Sequence, residues 1–240
     1  MQLPIEWLPT QGAAEQLIVM LHGVGGSGAD MAPLAQALRI QFPQAALLAP
    51  DAPHAFDGGG VGRAGRQWFS VVGITEANRA ERIQAALPPL WSWLRRTQDR
   101  LRVPPVATAI AGFSQGGILA LESAVGNDGL AGRVLAFSAR FGTLPEEAPR
   151  HTTLHLFHGG ADGVIPVAQA RAAMERLAAL QGDATIDIAE GVGHLLHPVL
   201  LNCALHRLKS HIPLRTWQAA LGGAAAVPAN PKPNPQPTDD

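Results

Sequence analysis

The chain has 240 residues, enough for one large domain or two small ones whose core needs no disulfide or metal staple. Hydrophobic residues make up 47% and charged residues 15%, a globular balance that argues against an intrinsically disordered chain. Eighteen Lys+Arg against nineteen Asp+Glu leave a net charge of −1, too little to hold nucleic acid or an anionic membrane, and the single cysteine, Cys203, excludes an intramolecular disulfide framework and any multi-cysteine metal site.

Met1 to Pro9 carries Glu6 but no Lys or Arg, and lacks the basic and long apolar regions of a secretory signal. No apolar run is long enough to span a bilayer, so a cytoplasmic protein with no stable membrane insertion is expected. Leu17–Leu21 (LIVML) reads as a strand buried on both faces. A helix is expected from Asp30 as N-cap to about Gln41, then a short strand over Ala45–Ala49. Asp57–Gly65 is unusually rich in glycine. Asn78 and Glu81 have the spacing of a capping pair for a long helix with an apolar stripe of Ile83, Leu87, Leu90 and Leu94. Pro88–Pro89 should kink or break it. Thr108–Phe113 reads as a strand, followed by a helix from about Gly116. Val134–Ser138, Leu154–His158 and Thr185–Ala189 are further strands; Val167–Leu180 and Val199–Lys209 are helices. After Ala226 the chain reads VPANPKPNPQPTDD, five prolines with no apolar period, which predicts a disordered tail over residues 226–240 behind one domain over residues 1–225. Alternating strands and helices predict an α/β fold, a mostly parallel central sheet with helices on both faces. Ligands in such folds bind beyond the carboxyl ends of the strands.

Three candidates for chemistry fall there. Gly112-Phe113-Ser114-Gln115-Gly116 is a G-x-S-x-G motif between a strand and a helix. A serine on so sharp a turn projects its hydroxyl out of the sheet, and the helix N-terminus behind it favours developing negative charge. A serine needs a base and the base an orienting acid, which α/β-hydrolases supply in the chain order Ser, Asp or Glu, His. Asp162 follows the strand ending at His158, and His194 follows the last strand. Alone, Asp162 reads as a turn or cap residue and His194 as a loop histidine. Together with Ser114 they fall in order after three strands. Among rivals, His197 precedes the Pro198 that starts a helix, His158 is better placed to support the acid's loop, and Glu190 and Asp187 belong to the strand before His194.

The segment His22-Gly23-Val24-Gly25-Gly26-Ser27-Gly28 can lend a backbone N–H to an oxyanion hole beside that of Gln115. Gly23, Gly25 and Gly28 also spell G-x-G-x-x-G, with Asp51 placed like the ribose-binding acid of a nicotinamide-dependent oxidoreductase. That reading leaves Ser114, Asp162 and His194 without purpose. A non-catalytic α/β binding scaffold is a third possibility, disfavoured by the complete triad. Arg95, Arg96, Arg100 and Arg102 read as a solvated helix end, and His151 and His155 lie on no helix that would let them share a metal.

LHGVGGSGADM, RQWFS, GFSQGG, HGGADGVIP and GVGHLLHP, taken in this order from Leu21 to Pro198, resemble the phospholipase/carboxylesterase family of α/β-hydrolases, which includes the acyl-protein thioesterases. The resemblance implies a serine esterase with no cofactor, acting on a small-molecule ester or thioester through an acyl-enzyme; the glycine-rich Asp57–Gly65 departs from the family and points away from long acyl chains to short-to-medium ones. It implies Ser114 as nucleophile, Asp162 as acid and His194 as base, an oxyanion hole from the amides of Val24 and Gln115, and Trp68 beside the entrance as a substrate-binding residue.

Overall fold

The computed structural model describes residues 4–58 and 65–220. The expected tail over residues 226–240 lies outside them, as does most of the glycine-rich segment after Asp57. In chain order the strands are β1 (Ile5–Trp7), β2 (Gln16–Leu21), β3 (Ala45–Ala49), β4 (His54–Ala55), β5 (Arg66–Gln67), β6 (Thr108–Phe113), β7 (Arg133–Phe137), β8 (Thr153–Gly159) and β9 (Ala184–Ala189). The helices are α1 (Ala32–Gln41), α2 (Glu76–Leu101), α3 (Gln115–Gly126), α4 (Ala168–Ala179), α5 (Pro198–Ser210) and α6 (Leu214–Ala220).

Seven strands form one sheet in the order β1-β3-β2-β6-β7-β8-β9. All neighbours are parallel except β1, which runs antiparallel to β3 with Trp7 opposite Leu47. The alternation of side chains along β2 divides the core. Leu17, Val19 and Leu21 face a cluster with Ile83, Leu87 and Leu94 of α2, Leu119 of α3 and Leu177 of α4. Ile18 and Met20 face Leu34 and Leu38 of α1 and Leu200 and Leu201 of α5. Helices thus cover both faces, which is why LIVML has no polar side. Burial of each such side chain contributes about 1.5–3 kcal/mol.

One strand is added and three local expectations are corrected. β1 was not foreseen; three residues at a sheet edge carry too little period to read. Ser27, not Asp30, caps the short 3-10 turn Gly28–Met31 that leads into α1; Asp30 is its third residue and accepts the Ser27 amide at 2.7 Å. Thr75 caps α2, with Asn78 three positions later accepting the Thr75 amide at 2.8 Å. Finally, α2 runs unbroken through Pro88–Pro89. Leu87 and Leu90 are buried while Gln84, Ala85 and both prolines are exposed, so the carbonyls that lose their partners lie on the water side.

Candidate active site

Ser114 occupies the single residue between β6 and α3, at φ 51° and ψ −116°. This is left-handed backbone that a non-glycine residue adopts only under constraint. The constraints are visible. Its amide donates to Phe137 O on β7 at 2.9 Å, and its carbonyl accepts Ile118 N at 2.9 Å, starting α3. The flanking glycines are there for space. A Cβ on Gly112 would lie 2.3 Å from Gly116 O, and one on Gly116 would lie 2.2 Å from Leu21 O. Helix α3 therefore sits directly on the ends of β2 and β6, and Ser114 is 7% exposed at its start. Ser138, at the matching position after β7, is also left-handed (φ 47°) and buried.

Asp162 follows β8 and is 6% exposed. One carboxylate oxygen accepts the amides of Val164 and Ile165, both at 2.9 Å. The other accepts His194 Nδ1–H at 2.7 Å. Burial works to raise the Asp162 pKa, but the His194 hydrogen bond and the two amides outweigh it, and the carboxyl is held below its usual value. With Nδ1–H directed at Asp162, the neutral imidazole presents Nε2 of His194 as an acceptor. The ring packs against Phe113, centroids 4.9 Å apart, which ties it to the residue preceding Ser114. No Ser114–His194 hydrogen bond is formed among the described residues; such bonds often tighten only when substrate is present. His158 does support the acid's loop: its Nε2 donates to Ile165 O at 2.8 Å and lies 3.4 Å from Asp162. Burial lowers its pKa and keeps it neutral.

The loop after β2 passes beside the serine; a Cβ on Gly23 would lie 3.5 Å from Ser114 Cβ. Among the described residues, the backbone amides of Val24 and Gln115 have no acceptor, as an oxyanion hole requires. His22, at the start of this loop, donates through Nδ1 to Gly23 O at 2.7 Å and accepts Ala52 N through Nε2 at 3.0 Å. Burial lowers its pKa, so it stays neutral. Gly28 is packed onto β3, where a Cβ would meet Ala49 O at 2.3 Å, and its amide donates to Asp51 at 2.8 Å. The glycine spacing and Asp51 thus serve the turn itself.

Trp68, expected beside the entrance, directly follows β5. It is 2% exposed, and its indole N–H donates to His22 O at 2.9 Å. The side chain of Gln115 holds the same segment: Oε1 accepts Trp68 N and Nε2 donates to Phe69 O, both at 2.8 Å. Sequence reading missed this role of Gln115, because both partners are backbone groups far away in the chain.

The remaining candidates are engaged elsewhere. Asp187 pairs with Arg207 at 2.9 Å, and His197 caps α5. Arg95 donates to Asn127, Arg96 to Ser92, and Arg100 pairs with Glu6. His155 is buried between Thr185 and Arg133. Among the described residues no group of three or more His, Cys, Asp or Glu side chains is arranged to hold a metal, and no helix is long and apolar enough to cross a membrane. Cys203 packs with the α1/α5 side of the core.

Known esterases resemble this chain over most of its length. A phospholipase/carboxylesterase family model matches residues 8–212. The chain is 42% identical over 210 residues to the esterase YpfH of Escherichia coli strain K12, covering 88% of this chain and 89% of that protein. It is 27% identical over 169 residues to acyl-protein thioesterase 1 of Saccharomyces cerevisiae, covering 64% of this chain and 73% of that one. Among solved structures, esterase PE8 superposes with a TM-score of 0.79 at 29% identity, covering 87% of this chain and 98% of that one. A Bacillus cereus carboxylesterase shares the fold at a TM-score of 0.71 and 15% identity, covering 85% of this chain and 91% of that one.

Proposed function

The chain belongs to the phospholipase/carboxylesterase family of α/β-hydrolases, and on that premise we propose that it hydrolyses carboxylic esters, thioesters included, with Ser114 as nucleophile, His194 as base and Asp162 as orienting acid. The observation that carries this reading is the 2.7 Å hydrogen bond from His194 Nδ1 to a buried Asp162, beside a serine held in left-handed backbone. Nε2 of His194 takes the Ser114 proton as the hydroxyl oxygen attacks the acyl carbonyl. Asp162, ionised, stabilises the imidazolium that forms. The amides of Val24 and Gln115 receive the oxyanion, each donor stabilising the transition state by about 3–4 kcal/mol. The imidazolium then protonates the leaving alcohol or thiol, and water attacks the acyl-enzyme with His194 again as base.

The substrate is a small molecule with a short-to-medium acyl chain. Val24, Val164 and Leu195, exposed on three loops of this face, offer it apolar contact. No cofactor is needed for this chemistry, and a cytoplasmic setting suits the lone thiol. The test is initial rates on p-nitrophenyl esters of increasing chain length, with Ser114→Ala beside the wild type. Hydrolysis should vanish in the variant and peak at a short or medium chain. Near-full activity of a folded Ser114→Ala protein would overturn the assignment.

A further inference from the structure

We infer that the segment Arg66–Phe69 is a strut that sets the separation of the two oxyanion donors, with Gln115 and Trp68 as its positioning residues. The inference rests on the serine-hydrolase reading, because it concerns the amides of Val24 and Gln115. Those amides belong to loops leaving two different strands. The last register pair joining β2 to β6 is Leu21 with Gly112, so beyond it sheet hydrogen bonds no longer fix one loop against the other. The strut touches both. On one side Gly25 N donates to Arg66 O and Arg66 N donates to Gly26 O, each at 2.8 Å, immediately after Val24. The Trp68 indole donates to His22 O at 2.9 Å, just before Val24 on the other flank. On the opposite side the Gln115 side chain grips Trp68 N and Phe69 O at 2.8 Å, as a neighbouring strand would. The Arg66 guanidinium anchors the strut to the connection between β3 and β4, donating to Ala52 O and Pro53 O at 2.8 Å.

The chemistry of these side chains suits the task. Glutamine supplies an acceptor and a donor in one plane, matching an N–H and a C=O on adjacent residues; glutamate lacks the donor. Gln115 is 3% exposed with both ends of its amide used, so it is not free to contact substrate. A hole built from two backbone amides works only if both stand about 3 Å from the same developing oxyanion. Misplacement by about 1 Å costs on the order of a hundredfold in rate.

The experiment uses the full chain with Gln115→Met, Trp68→Phe, the double variant and Gln115→Glu, each checked for folding by circular dichroism. It measures kcat and KM on p-nitrophenyl butyrate and affinity for a trifluoromethyl ketone, whose adduct with Ser114 places an oxyanion in the hole. Gln115→Met should lower kcat about ten- to a hundredfold with KM within about twofold, and ketone affinity should fall in proportion to kcat/KM. Gln115→Glu should not restore the rate. Trp68→Phe should give a smaller loss of the same kind, and the double variant less than the product of the two. Unchanged kcat in folded variants would overturn the strut, as would a raised KM at constant kcat, which would make Trp68 a substrate contact. If Gln115→Met does not fold, Trp68→Phe decides by the same readouts. Ser114→Ala run in parallel separates the two levels. Hydrolysis surviving that change removes the serine-hydrolase reading; Ser114-dependent hydrolysis indifferent to the strut variants removes only the strut.

Discussion

The sheet carries the same pair of side chains at both ends. Beyond the carboxyl ends of the strands, Asp162 accepts His194 at 2.7 Å; at the amino ends, Asp183 accepts His211 at 2.9 Å. The surroundings differ. Asp183 also accepts from Thr153 Oγ1 at 2.6 Å and Leu214 N at 3.0 Å. Arg215 donates to Thr153, Arg133 donates to His211 O, and His155 meets His211 edge-on at 5.1 Å. These groups satisfy one another and bind α6 to the sheet. At the other end Asp162 is just as fully engaged, yet its histidine packs on Phe113, the residue before Ser114, and among the described residues the amides of Val24 and Gln115 stand without acceptors. An Asp–His pair is therefore not a site by itself. On the proposed reading, the strained serine and the unspent donors beside it make one.

The sharpest way to break this contrast is to neutralise each aspartate in turn. Asp162→Asn should lower kcat by about 10⁴-fold, because the histidine loses its tautomeric hold. Asp183→Asn should leave kcat unchanged and lower the melting temperature instead. Steady-state rates and thermal melts on both proteins check it, and equal catalytic losses would erase the distinction. Next in size is Gly116→Ala. Its Cβ would fall 2.2 Å from the backbone oxygen of Leu21, so either α3 or β2 must shift. The cost should be about 3 kcal/mol in urea unfolding, with kcat reduced as well.

The third prediction concerns pH. Burial is the main cause that lowers the pKa of His155 from 6.5 to about 3, and nearby Arg133 adds to it. The unfolded chain takes up a proton below pH 6.5 that the folded one refuses. Stability should therefore fall as pH drops from about 6.5 toward 3, by up to about 1.4 kcal/mol per unit from this group. The buried, neutral His22 and His158 act in the same direction. Urea melts at pH 7, 6 and 5 should show the slope, and His155→Gln should flatten part of it. The smallest effect belongs to the Glu6–Arg100 pair at the sheet edge, half exposed on the arginine side. Arg100→Ala should change stability by less than about 1 kcal/mol in the same melts, less still at high salt.

The sheet and the turn that carries Ser114 were legible for one reason: both depend on patterns local in the chain. Continuous apolar runs marked β2, β3 and β6, and G-x-S-x-G marked the elbow because its residues are contiguous and Gly112 answers to Gly116, four positions on. The capping error at α2 was one of degeneracy, since Thr75–Asn78 and Asn78–Glu81 have equal spacing. Only the extended backbone of Thr75 (φ −135°, ψ 167°) identifies the cap. The two-residue strands β4 and β5 have no period to read. The grip of Gln115 on Trp68 and Phe69, and the network around His155, link groups that only the folded topology brings together.

The seating of Gly116 on the Leu21 carbonyl leaves the elbow a single position, with no slack to absorb a change of substrate. The side chains of Val24, Val164 and Leu195 are exposed on loops of the same face and take no part in that seating. On the proposed reading, reaction and preference are therefore separable inheritances in this molecule: descendants of this chain, natural or engineered, would diversify what they cleave by altering those three side chains while Ser114, Asp162 and His194 stay as they are.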